Sequence, residues 1–234
     1  MNPHGPIIRL FLLFVLVLLS VQISSGKPPG GGRLGVVVDE RLAALRRAPE
    51  LNAPLVRRLG RGRLVAIGGS RTSSDGVVFL FVRVTSRTRG WIQREAIVSA
   101  PRPGDDQRLL DLIKDSQGFD QIVRSRIFLD HFRYSALRPR VLLLLANAAE
   151  EEAAKLSRAA VRRLNGAFSA APEFTYFMNY TGLDRYSRQR VGFVFDPHTK
   201  RFHYDGAACR ELLRRYPNAP EAAEARERLK QLER

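Results

Sequence analysis

Hydrophobic and polar positions divide the chain into three regimes. Positions 10–19 form an unbroken apolar run, preceded by Arg9. Residues 33–100 show no helical period and are rich in β-branched side chains, which predicts short strands at 36–38, 55–59, 64–67, 77–84 and 90–92. In the longest of these, Leu80, Val82 and Val84 alternate with Phe79, Phe81 and Arg83, so one face is wholly apolar. Gly60 and Gly62 supply turn conformations, and Pro49 and Pro54 fix an irregular segment where no ladder donor is needed. Short strands at such close turn spacing predict a small barrel or sandwich.

After a linker at 101–104 the period becomes helical. Asp105 is a candidate N-cap for a helix with Leu109, Leu112 and Ile113 on one face. Gly118 interrupts it, and Phe119, Ile122, Val123, Ile127 and Phe132 continue a second stripe. Pro139 opens a longer helix whose stripe is Val141, Leu145, Ala149, Ala153, Leu156, Ala160 and Leu164, with Gly166 as its stop. Residues 191–195 and 201–204 flank a turn opened by Asp196 and Pro197, which predicts a second β-hairpin. Two further helices are expected at 207–216 and 220–232.

Residues 1–26 read as an export signal. Arg9 supplies the positive end, the apolar run follows, and Ser24 and Gly26 suit cleavage after Gly26. A membrane span needs roughly 20 apolar residues, so a single uncleaved anchor is the second reading. Residues 27–32 form a Gly- and Pro-rich flexible linker. The expected address is the periplasm, the extracellular space or the cell envelope, with the membrane as a partner only if the segment is uncleaved. A lone Cys209 leaves no intrachain disulfide and no Cys-based zinc site; it reads as a small buried hydrophobe on a helix. Asn179-Tyr180-Thr181 matches a glycosylation sequon.

Composition adds one feature to this picture. Apolar and charged fractions are ordinary, but the net charge is +16, from 34 Arg and 5 Lys against 23 acids. So strong an Arg skew is what a GC-rich genome produces unaided, which weakens the step from basicity to nucleic acid. The charge is uneven: residues 33–100 hold 13 Arg and 5 acids, whereas 101–165 and 166–234 each hold 12 basic and 9 acidic groups. The strand-rich part is therefore the electropositive end, and such a surface favours anionic partners.

Two stretches resemble known families. Residues 45–62, with Leu45, Arg47, Pro49, Pro54, Leu55, Val56, Leu59 and the Gly60–Gly62 turn, resemble the signature of the bacterial SH3-like domain. Gly90-Trp91-Ile92 with Ile97 is similar to that family's closing segment. Residues 70–76 make a longer hairpin tip than the family usually has. At the other end, Tyr216-Pro217 and Pro220, followed by an Ala-rich helix, are similar to the inter-helix turn of tetratricopeptide repeats in bacterial envelope proteins. That likeness covers less than one repeat, and no second copy is evident. The fold class expected is α+β and multidomain: a small SH3-like β-barrel at 33–100, then a mostly α-helical, partly tetratricopeptide-like domain at 105–234 with one β-hairpin.

The SH3-like resemblance also raises a wall hydrolase, because such domains often accompany one. The residues argue against it. Cys209 has no His after it, whereas the Cys–His peptidases place Cys before His. His131, His198, His203, Asp130 and Asp196 do not fall at zinc-ligand spacing, and no His-Glu-x-x-His occurs. Glu150, Glu151 and Glu152 read as solvated charge on a helix face. No phosphate-binding loop is present.

The expectation is an exported, non-catalytic binding or scaffold protein without cofactor or metal. Its SH3-like part would take peptidoglycan or another anionic envelope polymer, and its helices would dock envelope proteins. A wall hydrolase and an anionic-polymer or nucleic-acid binder are the alternatives, nucleic acid being the weaker. Arg57, Arg58, Arg61 and Arg63 around the Gly60–Gly62 turn are the candidate ligand-binding residues, with Trp91. Trp91, the sole Trp, reads as core filler first and as a stacking platform second.

Overall fold

The computed structural model describes residues 33–165, 181–196 and 198–232. The export segment 1–26, the linker 27–32, Gly166 and most of the sequon lie outside them.

Val36, Val37 and Val38 alternate between two cores, and this explains why the run is apolar throughout. Val37 joins a cluster inside the sheet, while Val36 and Val38 join the helical core. A strand buried on both faces reads as a continuous apolar run.

The sheet has seven strands: β1 (Arg33–Val37), β2 (Ala44–Arg46), β3 (Leu55–Arg58), β4 (Leu64–Thr72), β5 (Val78–Arg83), β6 (Arg89–Gln93) and β7 (Ile97–Val98). Their order is β3-β2-β6-β5-β4-β1-β7, and every pairing is antiparallel. The sheet curls: Leu45 and Leu59 from one end share an interior cluster with Val37 and Ile97 from the other. Leu80 and Val82 fill its centre, on the face the alternation singled out. Among the described residues no pairing joins β3 to β7, so a closed barrel is not formed and both strands are edges.

Two strands escaped the hydrophobic pattern because they are too short to show a period. β2 spans 3 residues and β7 spans 2. The long tip expected at 70–76 is also shorter than expected. β4 continues through a bulge at Gly68 to Thr72, pairing Ser70, Arg71 and Thr72 with Leu80, Phe79 and Val78. Pairing with an apolar partner strand overrides the weak β-propensity of that polar stretch. Gly90 is demanded by packing, since a Cβ there would lie 2.5 Å from the Arg46 carbonyl oxygen and 3.1 Å from the Leu45 side chain.

Helices α1 (Asp105–Lys114), α2 (Gly118–His131) and α3 (Arg138–Asn165) follow, then α4 (Asp184–Ser187), the hairpin β8 (Phe193–Asp196) and β9 (Arg201–Tyr204), and α5 (Ala207–Arg215) and α6 (Ala222–Leu232). Val141, Leu145, Ala149, Ala153, Leu156 and Ala160 of α3 are buried, as their spacing predicts. Asp105 is not the N-cap. Gly104, at φ 80°, occupies that position, and the Asp105 carboxylate instead accepts the Ser99 N–H at 2.7 Å and Arg102 Nε at 2.7 Å. Gly118 starts α2 at φ 60°, where a Cβ would meet Glu152 Oε1 at 2.7 Å.

Sheet and helices meet at β1 and β7. Val36, Val38 and Val98 pack into the helical core, Arg124 Nε donates to the Val38 carbonyl, and Arg102 donates to that of Ile97. The β3 end carries no such cover: all four of its residues are exposed. No helix among the described residues is long and apolar enough to cross a membrane.

Candidate functional site

Three of the four arginines around the Gly60–Gly62 turn are exposed, Arg57 and Arg58 as consecutive residues on opposite faces of β3. Arg57, Arg58 and Arg63 are exposed and, with Leu59, Gly60, Arg61 and Gly62, line a shallow recess of about 370 Å³. The turn is held from behind by Gly62 N–H to the Val37 carbonyl at 2.8 Å and Val37 N–H to the Arg63 carbonyl at 3.0 Å. Arg61 is different. Its side chain is only 11% exposed and is paired with Asp120 of α2 at 2.6 Å and with Glu40 at 3.4 Å. That pairing holds the Asp120 carboxyl below the usual carboxylate range. Arg61 is a tie between sheet and helix, and its charge is spent.

Trp91 is not core filler. It is half-buried and stands outside the interior cluster, on the opposite face of β6 from Ile92. Pairing places Leu55, Arg46, Trp91, Phe81 and Gly69 opposite one another on successive strands, in one row across the outer face. At ~4.8 Å per strand the row is about 19 Å long. Trp91 meets Phe81 edge to face at 5.3 Å, and the Arg71 guanidinium lies 5.9 Å from the indole centroid. Arg46 reaches back to the Ala53 carbonyl at 2.8 Å and pins the 47–54 loop. Leu55 at the end of the row is 50% exposed. Arg46, Arg71 and Phe81 were not singled out from sequence, although the alternation along β5 had already put Phe81 on the face away from the core.

The residues weighed for catalysis are dispersed or occupied. Cys209 on α5 is fully buried, and burial pushes its thiol up to about 11. Asp196 accepts the His198 N–H at 2.9 Å and Thr199 Oγ1 at 2.6 Å, an arrangement that closes the hairpin turn. Burial lowers the pKa of His131. Glu152 is not solvated charge as its position in an acidic run suggested. It is 5% exposed, accepts the Tyr186 hydroxyl, and pairs with Lys155 at 2.7 Å and Arg185 at 3.7 Å. Burial first, and that bond second, push the Tyr186 hydroxyl up to about 12. Among the described residues no group of three His, Cys, Asp or Glu is placed to hold a metal ion.

A larger cavity, about 520 Å³, lies between α3, β9 and α6, with Glu150, Ser157, His203 and Arg228 among its lining. Burial raises the Glu150 carboxyl, and Arg228 Nη1 donates to it at 2.7 Å. Ser157 Oγ is committed to the Ala153 carbonyl at 2.8 Å and accepts the Phe202 N–H at 2.8 Å. The hydroxyl is thus a bridge between α3 and β9, not a free nucleophile. No protein-family model, curated protein or solved structure matches the chain.

Proposed function

We propose that the protein is an exported, non-catalytic cell-envelope protein that binds or scaffolds through its curled sheet, which we read as an SH3-like domain. The ligand in this reading is peptidoglycan or another anionic envelope polymer. The helical part, with its tetratricopeptide-like pair α5 and α6, would dock an envelope protein. The observation that carries the reading is the uncovered β3 end of the sheet. Arg57 and Arg58 are exposed there without an acidic partner among the described residues, Arg63 is exposed across the turn beside β1, and Trp91 lies two strands in from β3 on the outer face. Exposed guanidiniums attract anionic groups over about 8 Å at physiological salt. The partly exposed rings of Trp91 and Phe81 on the outer face offer a surface on which a sugar ring can stack.

Co-sedimentation of the mature chain with purified wall, over a salt series, tests the proposal. Binding that falls steeply with salt is the expected result. Absence of binding at low salt contradicts it, and lysis of the wall in a zymogram would favour the hydrolase instead.

A further inference from the structure

The helical half holds a second arginine cluster, remote in sequence from the sheet, that the proposed wall-binding face does not use. Arg126 and Asp130 lie one turn apart on one side of α2, and Arg133 follows in the turn just beyond its end. They face Glu211 and Arg215 of α5 and Arg190 of the turn after α4, around a recess of about 310 Å³. Arg138, at the start of α3, completes the lining and is 5% exposed.

Five guanidiniums thus share two carboxylates. Arg190 pairs with Asp130, and Arg138 and Arg215 share Glu211 at 3.7 and 3.5 Å. Arg126 and Arg133 have no carboxylate partner among the described residues. Arg126 donates to the carbonyls of Gln189 and Arg190, and Arg133 to that of Asp130. Arg138 donates to the Leu129 carbonyl at 2.7 Å and to the Tyr216 hydroxyl at 3.0 Å. Carbonyls and hydroxyls satisfy N–H groups but cancel no charge, so the recess keeps an excess of three positive charges over carboxylates. Burial first, and the neighbouring Arg190 second, lower the Arg126 pKa, while Asp130 and Glu211 act the other way. Arg190 itself sits at φ 55°, where glycine is favoured. Strain of this kind concentrates at binding sites.

We propose that this recess binds a phosphate group, free or carried on a larger molecule. Guanidinium forks match the oxygens of a tetrahedral dianion two at a time, and two negative charges offset most of the excess. Arg138 and Arg126, fixed by their carbonyl bonds, form the rigid part of the site. Arg133 and Arg215, exposed at its rim, close on the ligand.

The test is calorimetric titration of the full chain with inorganic phosphate in a phosphate-free buffer, repeated with chloride at matched ionic strength. Arg133→Gln and Arg215→Gln are the variants, since both side chains are exposed and their loss should leave the melting temperature unchanged. Saturable binding weakened about tenfold in each is expected, the loss of one charge-assisted contact. Arg87→Gln, on an exposed turn of the sheet, should leave it unchanged. Titration with glycerol phosphate and with phosphatidic acid vesicles then separates a soluble from a lipid source, each arm read against the same two variants. Equal heats with chloride, or equal weakening by Arg87→Gln, would overturn the proposal.

Discussion

Arg61 shows how little the type of a residue says about its role. By sequence it is one of four equivalent arginines around a glycine turn. In the fold it bridges 59 positions to Asp120 and joins the sheet to α2. Its net worth is modest, because Asp120 is half exposed and Arg61 Nε is buried without an acceptor among the described residues. Arg61→Ala should therefore cost about 1 kcal/mol at neutral pH in a denaturant melt. Asp120 has a lowered pKa in the folded state, so its contribution is present above the unfolded value of about 3.9 and is lost as pH falls through the folded one. The difference between wild type and Arg61→Ala should shrink below about pH 4. A difference that stays constant down to pH 2 would mean that Arg61 acts through packing alone. Trp91 carries the same lesson in reverse: rarity and size suggested the core, but the register of β6 turned it outward. Strand register depends on partners tens of residues away, and these are invisible in a local pattern.

At the scale of elements, what repeats locally was legible and what depends on distant pairing was not. The α3 stripe, the 3.6 period of α1 and α2, the second hairpin and the apolar face of β5 all follow from side chains within a dozen residues. β2 and β7 do not, because a strand of two or three residues exists only through its neighbours. The same holds for the edge character of β3, which singles out Arg57 and Arg58: it comes from sheet order. Residues 101–104, which read as a linker, form a turn in which Arg102 reaches Asp105 and the Ile97 carbonyl at 2.7 and 2.8 Å. A fragment of residues 33–100 would expose Val36, Val38 and Val98 and lose the Arg61–Asp120 pair. It should melt well below the whole chain, since a domain of this size buries only about 60% of its unfolded surface. Circular dichroism melts of fragment and chain compare the two directly. An equal melting temperature would show that the interface with the helices contributes nothing to the sheet.

The whole molecule is polarised. Helices cover the β1 and β7 end of the sheet, while the β3 end exposes Arg57 and Arg58 and the outer face carries the Trp91 row. The excess of positive charge at residues 33–100 was legible from composition alone, whereas which arginines remain unpaired was not. If binding to the wall is electrostatic, it must be screened by salt and must depend on the free arginines more than on the indole. The direct measurement is the affinity for purified wall of three proteins at two salt concentrations: wild type, the combined Arg57→Ala, Arg58→Ala and Arg63→Ala variant, and Trp91→Phe. Wild-type affinity should fall steeply with salt, the arginine variant should be weak at both concentrations, and Trp91→Phe should stay close to wild type. Salt-insensitive binding that survives loss of the three arginines and disappears in a still-folded Trp91→Phe would contradict this and assign the site to the aromatic row.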